Sequence, residues 1–371
     1  MTHDLVIRNA FLVDGTGQPG HHADVAVDGD TITAVEPAGT LGAGTRTVDA
    51  DGRLVTPGFV DIHTHYDAQV TWDPYVTPSS WHGVTTVIMG NCGVGFAPAR
   101  PDRHDWLIQL MEGVEDIPGS ALTAGITWGW ESFPEYLDAV ARIPRVLDVG
   151  AQVAHGAVRA YVMGERASTD DPASDADIAA MATLVEDALR AGAFGFSTSR
   201  TSLHRAKDGE LVPGTHADER ELLGIGEALA RVGRGVFQFA PEHLRVAVDE
   251  FPWMRRLAAL TGRPVSVNVN QPDQAPDLWR DVLRLLEEAH ADGLPVYAQV
   301  AGRSIGILYC LQGSVHPLMF HPAYHEIMHL GLDERLRALA EPERRRRIIE
   351  DVPDDGGFMQ RAILDKLDGM W

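Results

Sequence analysis

Lysine is almost missing from this chain of 371 residues: only Lys207 and Lys366 occur. Cysteine is as rare, with Cys92 and Cys310 alone, so at most one disulfide can form and no cystine framework carries the fold. No apolar run approaches the roughly 20 residues that span a bilayer. The opening "MTHDLVIRNA" has no basic segment followed by an apolar one, so no export signal is expected, and a reduced, cytoplasmic setting is the reading. Positive charge is also short. Lys and Arg number 31 against 53 Asp and Glu, a net charge of −22. Such a surface repels nucleic acid and anionic lipid, so neither is expected as a partner.

The rest is ordinary globular material, 44% hydrophobic and 23% charged, enough for one large domain and a smaller one. Residues 1–55 carry short β-like pieces with turn signals between them, including a hairpin turn at Asp28-Gly29. From residue 56 to 371 the pattern alternates strand and helix. Strands are expected at "RLVTPGFVDIH" up to His63, then at 84–90, 145–155, 194–199, 235–240, 264–270 and 295–302. Most are nearly continuous in apolar residues, as in strands buried on both faces. Helices are clear between them. "SDADIAAMATLVEDALRAG" has Ser174 as N-cap, apolar residues at helical spacing and Gly192 as a stop. Seven such units predict an α/β fold, a (β/α)8-type TIM barrel rather than an open sheet. An insertion at 93–144 holds Trp106, Trp128 and Trp130 and suits a lid or pocket wall.

Residues 58–67 read "GFVDIHTHYD". Residues two apart on a strand share a face, so His63 and His65 end the first barrel strand side by side. A metal ion explains two neutral imidazoles placed together better than burial does. The second strand ends in "GNCGVG", which puts Cys92 at the same rim, and a thiolate beside two imidazoles is metal-ligand chemistry. The third strand ends at His155 and the fourth at "STSR", with Ser197 and Ser199. His155, Arg159, Ser197 and Arg200 are the candidate substrate contacts, the arginines as partners for a substrate carboxylate.

"TPGFVDIHTH" after "DLVIRNAFLVDGTG" resembles the metal-dependent amidohydrolase superfamily. "GVTTVIMGNCGVGFAP", "VAHGAVRAYVMG" and "AGAFGFSTS" resemble its N-acyl-D-amino-acid deacylase (D-aminoacylase) branch. The resemblance implies a barrel, a β-sandwich composed from both chain ends, one or two zinc ions, and hydrolysis of an N-acyl amino acid to a carboxylate and a free amino acid. It also implies His63, His65 and Cys92 as ligands, the cysteine holding the bridging place that a carbamylated lysine takes in hydantoinases and dihydropyrimidinases. Where the branch carries ligand histidines, at the ends of strands five and six, this chain has Gln238 and Asn268 or Asn270, with His243 several residues late. One zinc rather than two is therefore expected.

No Val/Ile-rich strand ending in aspartate occurs after residue 302, so strand eight and its catalytic aspartate are expected outside this chain, and the general base stays unassigned. A short strand within 303–320 is the alternative. Two rival functions stand beside the deacylase: a cyclic amide hydrolase of the hydantoinase type, and a non-catalytic, metal-poor relative or fragment.

Overall fold

The computed structural model describes residues 2–354 except 170, 304, 307, 308, 314 and 315. It falls into two units, one running to Val60 with Ser79–Thr86 added, the other made of Asp61–Pro78 and the chain from Val87 onward.

The first unit is a β-sheet. Strands β1 (Leu5–Leu12), β2 (His21–Asp28) and β3 (Thr31–Pro37) form an antiparallel meander, while β4 (Arg46–Asp49) and β5 (Leu54–Val55) add parallel to β1. Leu12, Ala23 and Val25 form its core with Ile7 and Val55 packed against them. The stretch expected as one strand to His63 is thus divided. Leu54 and Val55 join β1, and only Phe59–Asp61 (β6) enters the second sheet.

The second sheet has seven strands in the order β12-β11-β10-β9-β8-β7-β6, with β7 at Val84–Met89, β8 at Asp148–Ala154, β9 at Gly195–Ser199, β10 at Val236–Ala240, β11 at Val265–Asn268 and β12 at Val296–Gln299. The pairs from β8 to β12 are parallel. Such strands need crossovers, and these are helical: α1 (His104–Glu115), α2 (Gly119–Gly125) and α3 (Phe133–Ala141) precede β8, and α4 (His155–Met163) and α5 (Asp175–Ala191) come after it. Then come α6 (Glu219–Val232), α7 (Phe251–Thr261) and α8 (Leu278–Ala291). Helix α5 starts where its sequence says it should. Ser174 and Asp177 form a reciprocal capping box.

Period-two alternation explains how strands buried on both faces also build a site. On β10, Phe239 turns toward Trp253 of α7, with ring centroids 4.9 Å apart, and Phe237 packs on Phe196 of β9. Between them Gln238 points the other way, in register with Ser197 of β9 and Ser266 of β11. The apolar layer seals sheet to helices and the polar layer lines the inside of the curl.

The curl shows at the sheet's ends. Gln299 closes β12 and its Oε1 meets Nδ1 of His63, two residues beyond β6, at 3.0 Å. Among the described residues there is no eighth strand. Positions 304, 307, 308, 314 and 315 of the 303–320 stretch lie outside them, and its remaining residues carry no strand. Later in the chain come helices at Pro322–His325, Leu332–Ala340 and Pro342–Glu350. No helix among the described residues is long and apolar enough to cross a membrane.

Candidate metal centre

His63, His65 and Cys92 converge. One donor atom from each lies within 4.8 Å of the other two, with His63 Nε2 at 3.2 Å from Cys92 Sγ and the imidazole centroids 5.4 Å apart. His63 and His65 follow β6 in the irregular stretch after Asp61, and Cys92 lies in the turn after β7, so all three sit just past the ends of adjacent strands.

The Cys92 turn is held on every side. Cys92 adopts a left-handed backbone at φ +56°, between Gly90 at +77° and Gly93 at +72°. A non-glycine residue persists there only when its surroundings over-determine it. Here they do. A β-carbon on Gly90 would fall 2.2 Å from Gln152 O, and one on Gly93 would fall 2.8 Å from Ser199 N. Asn91 donates to the carbonyls of Thr64 and Ile88 and accepts from Gln152. The Ser197 hydroxyl donates to Gly90 O and accepts the Gly93 N–H.

Gln238 and Asn268 support the thiol. The Cys92 N–H donates to Gln238 Oε1 at 3.0 Å, Gln238 Nε2 donates to Asn268 Oδ1 at 3.1 Å, and Asn268 Nδ2 lies 3.9 Å from Cys92 Sγ. These amides stand where the resemblance places ligand histidines, and they hold the cysteine. His243 has its Nδ1 at 3.3 Å from Asn270 Nδ2 and is not one of the three converging residues.

Burial sets the electrostatics. It lowers the basicity of His63 and drives His65 well below the usual imidazole value, helped by His63 and His204 nearby. It pushes the Cys92 thiol well up, as does the negative charge of Glu115. Glu115 and Asp67 are each raised to about 7, first by burial, and for Glu115 next by Asp67. His65 Nδ1 is buried without a hydrogen-bond partner. Two neutral imidazoles beside a thiol are the donor set a zinc-type site needs, and a cation reverses the penalty on the thiolate. The residues present fit the ion.

The four expected substrate contacts have other partners. His155 is fully buried, with Nδ1 at 2.8 Å from Thr198 Oγ1 and Nε2 at 2.9 Å from Glu221 Oε1. Arg159 bonds Glu221 at 3.0 Å and the carbonyls of Ala167 and Asp171. Ser197 braces the cysteine turn. Arg200 donates to Ala217 O at 2.6 Å and lies 3.5 Å from Glu250. The structure gives each of the four partners within the fold, and Arg200 Nε is buried without a hydrogen-bond partner.

Two residues at the cluster carry no motif in the sequence. Glu115 closes α1, with Oε1 at 3.3 Å from His65 Nε2. Its position, four after Met111 and seven after Ile108, both buried, puts it on the helix's inner face, a signal open to helical-period reading. His204 bonds Ser199 Oγ at 3.0 Å and is lowered to about 4 by burial and then by His243 and His63. It sits in an irregular loop, where no period marks it.

A curled parallel sheet wrapped by helices, with two histidines and a cysteine gathered at its C-terminal rim, is the arrangement of a TIM-type barrel. The amidohydrolase family model matches residues 46–359, and the chain belongs to that family. It is 32% identical over 313 residues to D-aminoacylase of Alcaligenes xylosoxydans xylosoxydans, covering 81% of this chain and 58% of that protein. It is 32% identical to N-acyl-D-aspartate deacylase of the same organism, covering 72% and 48%. A solved D-aminoacylase structure, described as concerning its binuclear metal centre with one-metal activation and second-metal attenuation, aligns at a TM-score of 0.67 and 29% identity over 81% of this chain and 59% of that one. The chain spans about half to three-fifths of the length of these relatives.

Proposed function

We propose that the chain performs metal-dependent hydrolysis of a C–N bond in a linear amide, with an N-acyl-D-amino acid as substrate and zinc as the ion. The observation that carries this is the convergence of His63, His65 and Cys92 in a member of the amidohydrolase family. Likeness to deacylases of D-amino acids supports the substrate class. When bound, the ion polarises the amide carbonyl and brings the pKa of its water toward neutrality.

The chain's own residues do the positioning. Gln299 accepts the Nδ1 proton of His63 and leaves Nε2 facing Cys92. Gln238 and Asn268 fix the cysteine, and the buried strand ends limit water around it. A hydantoinase-type reading fits less well, since the fourth barrel strand ends in Ser199 and Arg200 with no lysine to carbamylate.

The test joins two measurements on purified protein: metal content, and release of free amino acid from a panel of N-acyl D- and L-amino acids. About one zinc per chain and D-selective release that His65→Ala abolishes are expected. A metal-loaded protein that releases nothing from the panel rejects the substrate class, and a chain that retains no metal rejects the reading as a whole.

A further inference from the structure

The cluster of His63, His65 and Cys92 has a neighbour that no barrel strand supplies. Glu115, the last residue of α1 in the 93–144 insertion, brings Oε1 to 3.3 Å from His65 Nε2. Two donors bound tetrahedrally to one zinc-type cation at about 2.0 Å stand about 3.3 Å apart.

The second observation is a buried, unpartnered carboxylate oxygen two residues from His65. Asp67 is 3% exposed and its Oδ2 has no hydrogen-bond partner. Among the described residues Glu115 has His65 as its ion-pair partner, and none is found for Asp67. Two buried carboxylates and a thiol gathered with uncharged imidazoles can ionise together only with positive charge among them. A dication held by one thiolate keeps a single positive charge, which one carboxylate neutralises. The three rotatable bonds of a glutamate at a helix end let its carboxylate turn toward the point that the other donors share.

Resting on the proposed metal-dependent function, we infer that Glu115 is a ligand of the metal centre, a carboxylate delivered by the insertion to the cation held by His63, His65 and Cys92. The insertion then contributes to the site chemically as well as forming a wall. Its aromatic packing has a purpose in this arrangement. Trp130 donates to Phe96 O at 2.7 Å, and Trp128 stacks on His104 at the start of α1 with centroids 3.6 Å apart, so both ends of the segment are anchored.

The test reads metal affinity and not turnover. The full chain is stripped with a chelator and titrated with Co2+ and with Zn2+ against a chromophoric competitor. Glu115→Gln keeps the shape and removes the charge. It is expected to weaken binding about tenfold or more and to change the cobalt d–d bands, while the thiolate-to-cobalt band from Cys92 persists. Glu115→Asp, charged but one methylene shorter, should fall between, and it decides by the same criterion if Glu115→Gln does not fold. Glu112→Gln, on the same helix but paired with Lys207, should bind as the parent does. Parent affinity within about twofold and an unchanged cobalt spectrum in Glu115→Gln overturn the inference. A parent chain that binds neither ion overturns it together with the reading beneath it. Weakened binding in Glu115→Gln with no amide hydrolysed by the parent keeps the inference and rejects only the substrate.

Discussion

His63 and Gln299 are separated by 236 residues in the chain, and their side chains meet at 3.0 Å. One stands just past the first strand of the curled sheet and the other ends its last strand. The contact ties the far edges of the sheet together at the metal-type cluster. It also fixes which nitrogen of His63 is left for a ligand, because the amide oxygen takes the Nδ1 proton.

Gln299→Ala should therefore weaken metal binding without abolishing it, by about tenfold to a hundredfold, the range for groups that orient a ligating histidine. Competition titration of the stripped protein measures it. Unchanged affinity would separate the contact from the site.

Cys92→Ser should lose most bound zinc, because a hydroxyl is a poor ligand beside a thiolate. Elemental analysis after dialysis against a chelator reads the loss. Gln238→Leu should imitate it partially, since it removes the acceptor of the Cys92 N–H.

Glu221→Gln tests the structural part played by the His155 and Arg159 pairings. Glu221 is buried and bonded to both, and breaking such a pair costs about 3–5 kcal/mol. Denaturant unfolding should show that loss, while metal affinity of the folded fraction stays at the parent value. A metal affinity that falls with stability would couple the buried Glu221 pairings to the cluster.

The metal-free protein should lose stability as pH rises from about 5 to 7. Asp67 and Glu115 have folded-state values of about 7, above their unfolded ones, so the folded chain holds protons that the unfolded chain has released. Stability falls wherever the folded state binds more protons. Asp67→Asn should flatten that slope in denaturant curves of chelated protein recorded across the window. A slope unchanged by the substitution would place its origin elsewhere.

The barrel was legible because its strands are nearly unbroken apolar runs and its helices carry their own punctuation, Ser174 and Gly192 being the clearest pair. His63 and His65 were legible as a pair closing an apolar run, although the strand itself stops at Asp61, and Cys92 was legible through the glycines around it. The partner of Arg159 and His155 was not legible, because a sequence shows that a charge is present but not that a buried Glu221 waits 62 and 66 residues away to pair with it. Glu115 was hidden differently. "LMEGVEDIP" offers Glu112, Glu115 and Asp116 with no local cue, and only the inward face of α1 separates them.

The left-handed backbone at Cys92 also limits what could replace it. β-Branched residues are disfavoured at φ +56°, whereas Asn, Asp and His enter that region more readily than other side chains. Among residues able to hold a cation, then, the backbone of the turn favours aspartate or histidine. Either exchange trades a soft sulfur donor for a harder atom, aspartate moving the preference toward magnesium or manganese and histidine staying close to zinc. The shape of one turn thereby narrows the routes by which descendants of this protein could change their metal.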